Sequence, residues 1–285
     1  MTKYINHDLR VNDGKTVSMP PYDAGQLAAC WGNLMLPDMD NVFGVTLDTV
    51  QQYPIGTKLE MGDRVFRYVE FGDDDGDAVT FAAGTGRLPE HGILMSSTLL
   101  EVGTVMRATA AGVTSVLITE ASVTVNQFAG GYITVQTAGG KQWYSRIISN
   151  TVADASNYVT VVTEAATPIA FTSSDTVSIN KNPWKEIVRH SGASAHMGAA
   201  VLGVYVGYEP AASEGLFGWI QTWGPALVQI STSHQGDAHG ERVLVANNGA
   251  AQCTASTAQQ IIGFYMQEYD GTTLSLPLVW LTLAH

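Results

Sequence analysis

The chain has 285 residues, which is enough for one large β domain or two smaller ones with a substantial core. Charged residues make up only 14% of it, against roughly 25% in typical soluble domains, and the net charge of −12 comes without a basic cluster. Direct nucleic-acid binding is therefore disfavoured, because phosphate contacts need clustered Lys or Arg, and the acidity disfavours adhesion to anionic membranes. With no signal-peptide pattern and no apolar run approaching about 20 residues, we expect a soluble protein made in a cytoplasm.

Residues 1–50 show neither a sustained helical nor a sustained strand period. Large apolar side chains are scattered through the segment instead, among them Trp31, Leu34, Leu36 and Phe43. An aperiodic segment with isolated apolar side chains is typical of an extended arm that folds against a partner. These four are therefore the candidate partner-binding residues, and the alternative is an arm that wraps its own domain.

Residues 51–190 are predicted to form a β domain built of hairpins. The first hairpin has strands at 57–61 and 64–71 around Gly62-Asp63. The strongest pattern is a two-glycine turn, Gly139-Gly140, between runs of aromatic and β-branched residues at 132–137 and 142–149. This block contains almost no groups able to do chemistry, so it predicts architecture more than activity.

Residues 88–112 contain the one candidate helix, because several apolar residues recur there at partly helical spacing. Gly103 and the Thr-rich flanks weaken the pattern, so we expect a short helix at most. The alternative is a strand at 102–109 that turns at Ala110-Ala111-Gly112 and pairs with 115–119.

The last part of the chain, residues 191–285, is predicted to be a C-terminal β-barrel-like domain. It contains strand-like runs at 201–208, 217–222, 226–230, 243–246, 261–267 and 278–283. The expected fold class is mainly β, with antiparallel β-sandwich or barrel domains joined in one chain. An extended N-terminal arm at 1–50 and at most one short helix complete it.

Few residue patterns suggest chemistry. Asp73-Asp74-Asp75-Gly76-Asp77 could hold calcium, but its spacing does not match a calcium-binding loop and a solvated acidic loop is favoured. His234 and His239 flank Asp237, and surface histidines are favoured there over a metal centre. No nucleophile elbow or phosphate-binding loop occurs, so we expect no catalytic residues, no metal site, no cofactor and no enzymatic activity.

Three aromatic residues near the C-terminus allow two interpretations. Phe217, Trp219 and Trp223 have i, i+2, i+6 spacing, which places all three on one face of a regular strand. An exposed set could stack on sugar rings, and a buried set would form the heart of the C-terminal core. Burial is favoured, because each ring would lose transfer free energy by staying in water.

Several short runs between residues 50 and 285 carry a family resemblance, which residues 1–50 do not clearly share. They are Tyr53-Pro54-Ile55-Gly56-Thr57, Arg64-Val65-Phe66-Arg67-Tyr68, Val113-Thr114-Ser115-Val116, Asn126-Gln127-Phe128-Ala129-Gly130-Gly131-Tyr132-Ile133, Tyr144-Ser145-Arg146-Ile147, Asn180-Lys181-Asn182-Pro183-Trp184 and Trp219-Ile220-Gln221-Thr222-Trp223-Gly224. This series resembles structural proteins of tailed bacteriophage particles and is most similar to head decoration or cement proteins.

The resemblance implies a virion protein, made in the host cytoplasm, that sits on the capsid exterior and clamps neighbouring subunits of the major capsid protein. It also implies a homo-oligomer, most often a trimer. The balanced charge of residues 101–190, six basic and six acidic groups, makes that segment the candidate for subunit packing. The alternative functions are a carbohydrate-binding adhesin or tail-spike module that uses Phe217, Trp219 and Trp223, and a polysaccharide-degrading enzyme.

Overall fold

The computed structural model describes residues 8–10, 15–18, 42, 47–72, 93–96, 100–189, 201–206, 216–228, 240, 242–245, 251–252, 260–266 and 276–284. Within these residues the protein is mainly β, and all its named strands pair antiparallel, which confirms the expected fold class. The strands in chain order are β1 (Asp8–Arg10), β2 (Lys15–Ser18), β3 (Lys58–Met61), β4 (Arg64–Glu70), β5 (Ile93–Ser96), β6 (Leu100–Met106), β7 (Ser115–Thr119), β8 (Tyr132–Gln136), β9 (Gln142–Asn150), β10 (Tyr158–Thr163), β11 (Thr176–Asn180), β12 (Ile187–Arg189), β13 (Val201–Val204), β14 (Phe217–Leu227), β15 (Arg242–Val245), β16 (Ala251–Gln252), β17 (Ile261–Tyr265) and β18 (Leu278–Thr282).

The described residues divide into two compact units. One, here called the barrel unit, consists of residues 100–183. The other, the sheet unit, contains the described residues on either side of it in the chain, 8–72 and 93–96 before and 184–284 after. The division expected from the sequence, 51–190 and 191–285, differs from this one. The reason is long-range pairing: β4 lies beside β14, so residues 64–70 share a sheet with the C-terminal strands.

The barrel unit is a closed barrel in the order β10-β7-β6-β11-β8-β9. Its strands alternate β-branched apolar residues with polar ones, and the apolar set points inward. Buried members of this core include Val116, Ile118, Ile133, Val135, Ile147, Val159, Val161, Val177 and Ile179. A barrel therefore forms at 100–180, whereas the sequence placed the barrel-like domain at 191–285.

The loop between β7 and β8 packs into the barrel core, and Asn150 holds it there. The Oδ1 atom of Asn150 accepts a hydrogen bond from the backbone N–H of Phe128 at 2.8 Å. Its Nδ2 donates to the carbonyls of Thr124 at 2.9 Å and Thr151 at 2.8 Å. The buried amide is thus fully satisfied, and Phe128 and Val123 are buried in the core.

The described part of residues 88–112 contains no short helix. It forms strands β5 and β6 and then non-helical backbone to Gly112. Met106 lies opposite Ile118, and the backbone N–H of Arg107 donates to the carbonyl of Leu117, so the alternative hairpin is the one that forms. Tertiary pairing of the β-branched residues outweighs the weak helical spacing.

The sheet unit is built on a 12-stranded antiparallel sheet. Its main path is β1-β2-β3-β4-β14-β18-β17-β15-β16, and β13, β5 and β12 form a branch from β14. The described residues of the N-terminal segment join this sheet, because β2 pairs with both β1 and β3. β14 is the centre of the unit, since it pairs with β4, β13 and β18.

Candidate functional site

Many residues singled out in the sequence lie outside the described residues. These are the partner-binding candidates Trp31, Leu34, Leu36 and Phe43, the acidic loop 73–77, and the histidines His234 and His239. Their roles stay predictions. Within the described ranges, no group of three or more His, Cys, Asp or Glu side chains is placed to hold a metal ion. Nor does any helix in those ranges have the length and apolarity to cross a membrane.

The three aromatic residues of β14 do not share one exposed face, which the glycan-stacking alternative requires, and the burial of Trp219 agrees with the favoured interpretation. Trp219 is only 2% exposed, and Phe217 packs against the same core. The register of β14 against β4 shifts between Gln221 and Trp223, as a β-bulge does. Before the shift, Phe217 and Trp219 face the core that contains Tyr53 and Tyr68, while Ile220 faces a second core on the other side of the strand; after the shift, Ala226 and Val228 face the first core. Trp223 therefore points to the opposite side of the sheet.

Trp219 lies in an aromatic cluster inside the sheet unit. Its ring centroid is 5.3 Å from that of Tyr53 and 5.1 Å from that of Tyr68, with the planes tilted by 58° and 61°. Such tilted contacts suit the ring quadrupoles. The indole Nε1 is buried and, within the described residues, has no hydrogen-bond partner. This cluster is a packing centre rather than a binding surface.

Asp48 anchors the segment before β3 to this cluster. Its Oδ2 accepts a hydrogen bond from the Tyr68 hydroxyl at 2.7 Å, and its backbone pairs with Phe217. Burial raises the pKa of the Asp48 carboxyl above its ordinary value, and the hydrogen bond from Tyr68 opposes that rise. Burial also raises the pKa of Tyr68, so the phenol stays protonated and donates. These contacts therefore hold Asp48 against β4 and β14.

A charged cluster lies on the same unit around Trp184. The Arg67 guanidinium sits 5.4 Å from the ring centroid of Trp184, and Lys185 Nζ lies 3.9 Å from Glu70 Oε2. Burial raises the pKa of Glu70, Lys185 lowers it and Glu186 raises it again. These contacts hold Trp184 and Lys185, which precede β12, against β4.

The bulge in β14 creates an exposed apolar surface on the sheet unit. We call it the apolar strip: Trp223, Pro225, Leu227, Phe264, Leu278 and Trp280. Pro225 lies opposite Trp280, which lies opposite Phe264, and Leu227 lies opposite Leu278. The Trp280 and Phe264 rings are stacked, with centroids 6.4 Å apart and planes at 9°. Phe264 is 42% and Leu227 40% exposed, and the other four members are half-buried, so the strip is partly open to solvent.

The barrel unit presents a different outer surface on β8, β9 and β11. Three outward positions on each strand give nine, which we call the tyrosine grid. Its rows, read across the strands by register, are Gln142–Gln136–Thr176, Tyr144–Thr134–Ser178 and Arg146–Tyr132–Asn180. Tyr144 is 73% and Tyr132 43% exposed, and Arg146 is the one charged member. The grid offers two exposed aromatic faces among amides and hydroxyls.

Sequence reasoning missed both surfaces. Strand β18 reads Leu-Val-Trp-Leu-Thr, and its alternation shows two faces without showing which one is buried. Tyr132 and Tyr144 stood in the strongest predicted hairpin, where their outward direction depends on the interstrand register. The hairpin pattern could have indicated them, because aromatic residues at polar-facing positions are the exception in a half-buried strand.

Comparison with known proteins adds no relative to this geometry: no protein-family model matches the chain, and no curated protein or solved structure matches it.

Proposed function

We propose that the chain is a structural protein of a tailed-phage virion that binds the capsid exterior as a decoration or cement protein. Its partner is the major capsid protein, and it is made in the host cytoplasm. The apolar strip of the sheet unit is the observation that carries the proposal, together with the resemblance in residues 50–285. An exposed apolar face of this kind is a surface that a protein partner buries.

The residue types of the apolar strip favour a protein contact. Trp280, Phe264 and Trp223 supply large, stiff aromatic rings, the side chains that most often dominate interface energetics. Leu227, Leu278 and Pro225 surround them with apolar surface. Arg242 lies opposite Phe264 at the margin of the strip, so its position fits the charged rim of an interface.

The composition of the chain supports the same function. Only 14% of residues are charged, so few long side chains lose rotamer freedom when the surface is covered. Many weak contacts made in parallel by repeated copies would hold neighbouring capsid subunits by avidity. A homotrimer packed through residues 101–190 belongs to this proposal, and the predicted mass is three times 30.4 kDa by light scattering.

Capsid co-sedimentation tests the proposal. The purified chain is added to capsids stripped of accessory proteins, and we expect it to pellet with them and not with isolated tails. Changing Phe264 and Trp280 to Ser should abolish pelleting, since both stacked rings are removed. The control is Val125→Ser, which removes a 67% exposed side chain from the barrel unit. Recovery with tails alone, or full binding of the double variant, would overturn the proposal.

The adhesin alternative keeps no support at its original residues. A sugar ring stacks on an exposed aromatic face, and Trp219 is buried between Tyr53 and Tyr68. We therefore do not place carbohydrate binding on Phe217, Trp219 and Trp223.

A further inference from the structure

We propose that the tyrosine grid of the barrel unit is a binding site for a neutral glycan chain. This is a second activity, located on a different unit from the apolar strip, and it requires that the homotrimer contact of residues 101–190 leave the outer face of β8, β9 and β11 exposed. The observations are the exposure of Tyr132 and Tyr144, their register on β8 and β9, and the amide and hydroxyl side chains around them.

The register sets the spacing of the two rings. Tyr144 on β9 lies opposite Thr134 on β8. Tyr132 lies two residues before Thr134 on β8, opposite Arg146. Such diagonal neighbours are about 7–8 Å apart, so both phenol rings stand on one face within reach of sugars of the same chain. Aromatic rings bind the C–H faces of sugars as they bind other apolar surfaces.

The surrounding side chains match sugar hydroxyls. Gln136 and Gln142 face each other in one row, and Asn180 lies beside Tyr132 in another. Each amide offers two donors and an acceptor with two lone pairs, which fits a hydroxyl that both donates and accepts. Arg146 adds donors next to Tyr132. The face of a barrel is also a known location for oligosaccharide recognition.

The residue types of the grid favour a glycan over a nucleic acid or a protein partner. A nucleic acid needs clustered basic groups, and Arg146 stands alone among the nine positions. A protein interface of high affinity needs an apolar centre, which the sheet unit has at Trp280 and Phe264 and the grid lacks. A neutral polymer places no charge against this face, on which Arg146 is the one charged side chain.

Affinity electrophoresis of the full chain tests the proposal. Native gels contain dextran, laminarin, galactomannan or soluble starch as neutral probes, and alginate as the anionic comparison. We expect retardation in at least one neutral gel. Tyr144→Ala should weaken the apparent affinity about tenfold, and Tyr144→Phe should retain it because stacking needs the ring and not the hydroxyl.

The matched control is Tyr158→Ala. It removes another tyrosine from the barrel unit, on β10 and outside the grid, where the ring contacts Arg107 at 4.6 Å. Its retardation should equal that of the unchanged chain. Because Tyr144 is 73% exposed, its Ala variant should keep the thermal unfolding midpoint, which separates lost binding from lost folding.

Four results would overturn the proposal. They are no retardation in any neutral gel, retardation in alginate alone, an unchanged affinity in Tyr144→Ala, and an equal loss in Tyr158→Ala. If Tyr144→Ala instead lowers capsid co-sedimentation or the mass by light scattering, the grid is a protein contact. Failure of capsid binding by the unchanged chain would leave the glycan result intact, since the two assays share no probe.

Discussion

The barrel unit and the sheet unit bury the apolar faces of their antiparallel strands in different ways. The barrel closes on itself, so each of its strands has two neighbours and its outer positions on β8, β9 and β11 are polar. The sheet is open and carries the apolar strip on its outer face. A closed barrel has no unpaired strand edge, whereas an open sheet with an apolar outer face gains free energy when it is covered.

The two cores also differ in chemistry. The barrel core consists mainly of β-branched side chains, such as Val116, Ile118 and Val161, that alternate along short strands. The sheet core depends on large aromatic residues, with Trp219 between Tyr53 and Tyr68. We therefore expect the sheet unit to be more sensitive to loss of a single side chain.

The largest effect is expected from Trp219→Ala. The side chain is 2% exposed and in contact with two tyrosines, so its removal should destabilise the sheet unit by about 3–5 kcal/mol. Chemical denaturation followed by tryptophan fluorescence measures the change. The matched control is Trp280→Ala on the apolar strip, with a loss of about 1 kcal/mol or less. Equal losses in the two variants would contradict the difference between core and strip.

Two glycines of the barrel unit should respond unequally to alanine. A Cβ on Gly131 would lie 2.2 Å from the Asn180 carbonyl oxygen, so Gly131→Ala should cost about 2–3 kcal/mol. Gly140 has φ of +79° and nothing within 4 Å of the added Cβ, so Gly140→Ala should cost about 1 kcal/mol from backbone conformation alone. Thermal unfolding of both variants measures the two losses of stability. A larger loss in Gly140→Ala than in Gly131→Ala would contradict the packing described at Gly131.

Single substitutions on the apolar strip should separate binding from stability. Trp280→Ala should weaken capsid binding by about 2 kcal/mol, which is roughly thirtyfold, because a stacked aromatic ring leaves the centre of the contact. Binding is measured by quantitative co-sedimentation across a range of capsid concentrations. Val152→Ala is the control, since Val152 is 60% exposed on the barrel unit. A similar loss in both variants would show that the strip has no special role.

The smallest effects are expected from pH, with opposite signs in the two units. Asp175 in the barrel unit accepts backbone hydrogen bonds from Thr172 and Ala138, which lower its pKa below the ordinary 3.8. A lowered pKa stabilises the folded state above pH 3.8, and this contribution is lost as pH falls through the folded pKa. Wild type should therefore exceed Asp175→Asn in thermal stability at pH 6, with the gap closing toward pH 2.

Asp48 in the sheet unit has a raised pKa, caused first by burial. The contribution of Asp48 to the stability of the folded state is present below the ordinary pKa of 3.8 and is lost as pH rises through the folded pKa. Asp48→Asn keeps an acceptor for Tyr68 and removes the titration, so its stability relative to wild type should increase from pH 3 to pH 7. Thermal unfolding across that range measures it, and a decrease in relative stability would contradict the burial of the carboxyl.

Local patterns in the sequence predicted local structure well. The Gly139-Gly140 turn between β8 and β9 is confirmed, as are the strands around Gly62-Asp63, because a tight turn and its flanking β-formers fix the pairing of adjacent strands. The mainly-β class followed from the same patterns. Register within a hairpin depends only on residues close in the chain.

Long-range features escaped prediction for a physical reason. The pairing of β4 with β14 joins residues on opposite sides of the barrel unit in the chain, and no local pattern records it. The bulge between Gln221 and Trp223 reverses which alternate residues face the core. Because of this one-residue shift, Trp223 lies on the opposite side of the strand from Trp219 and belongs to the apolar strip. The exposed aromatic residues of the barrel are instead Tyr132 and Tyr144.

Electron cryomicroscopy of virions that contain the chain tests the central claim most directly. We predict density for the protein on the capsid exterior, with the strip residues Trp280, Phe264 and Leu227 against a major capsid subunit. A map in which the strip faces solvent, or in which the protein occupies only the tail, would contradict the account.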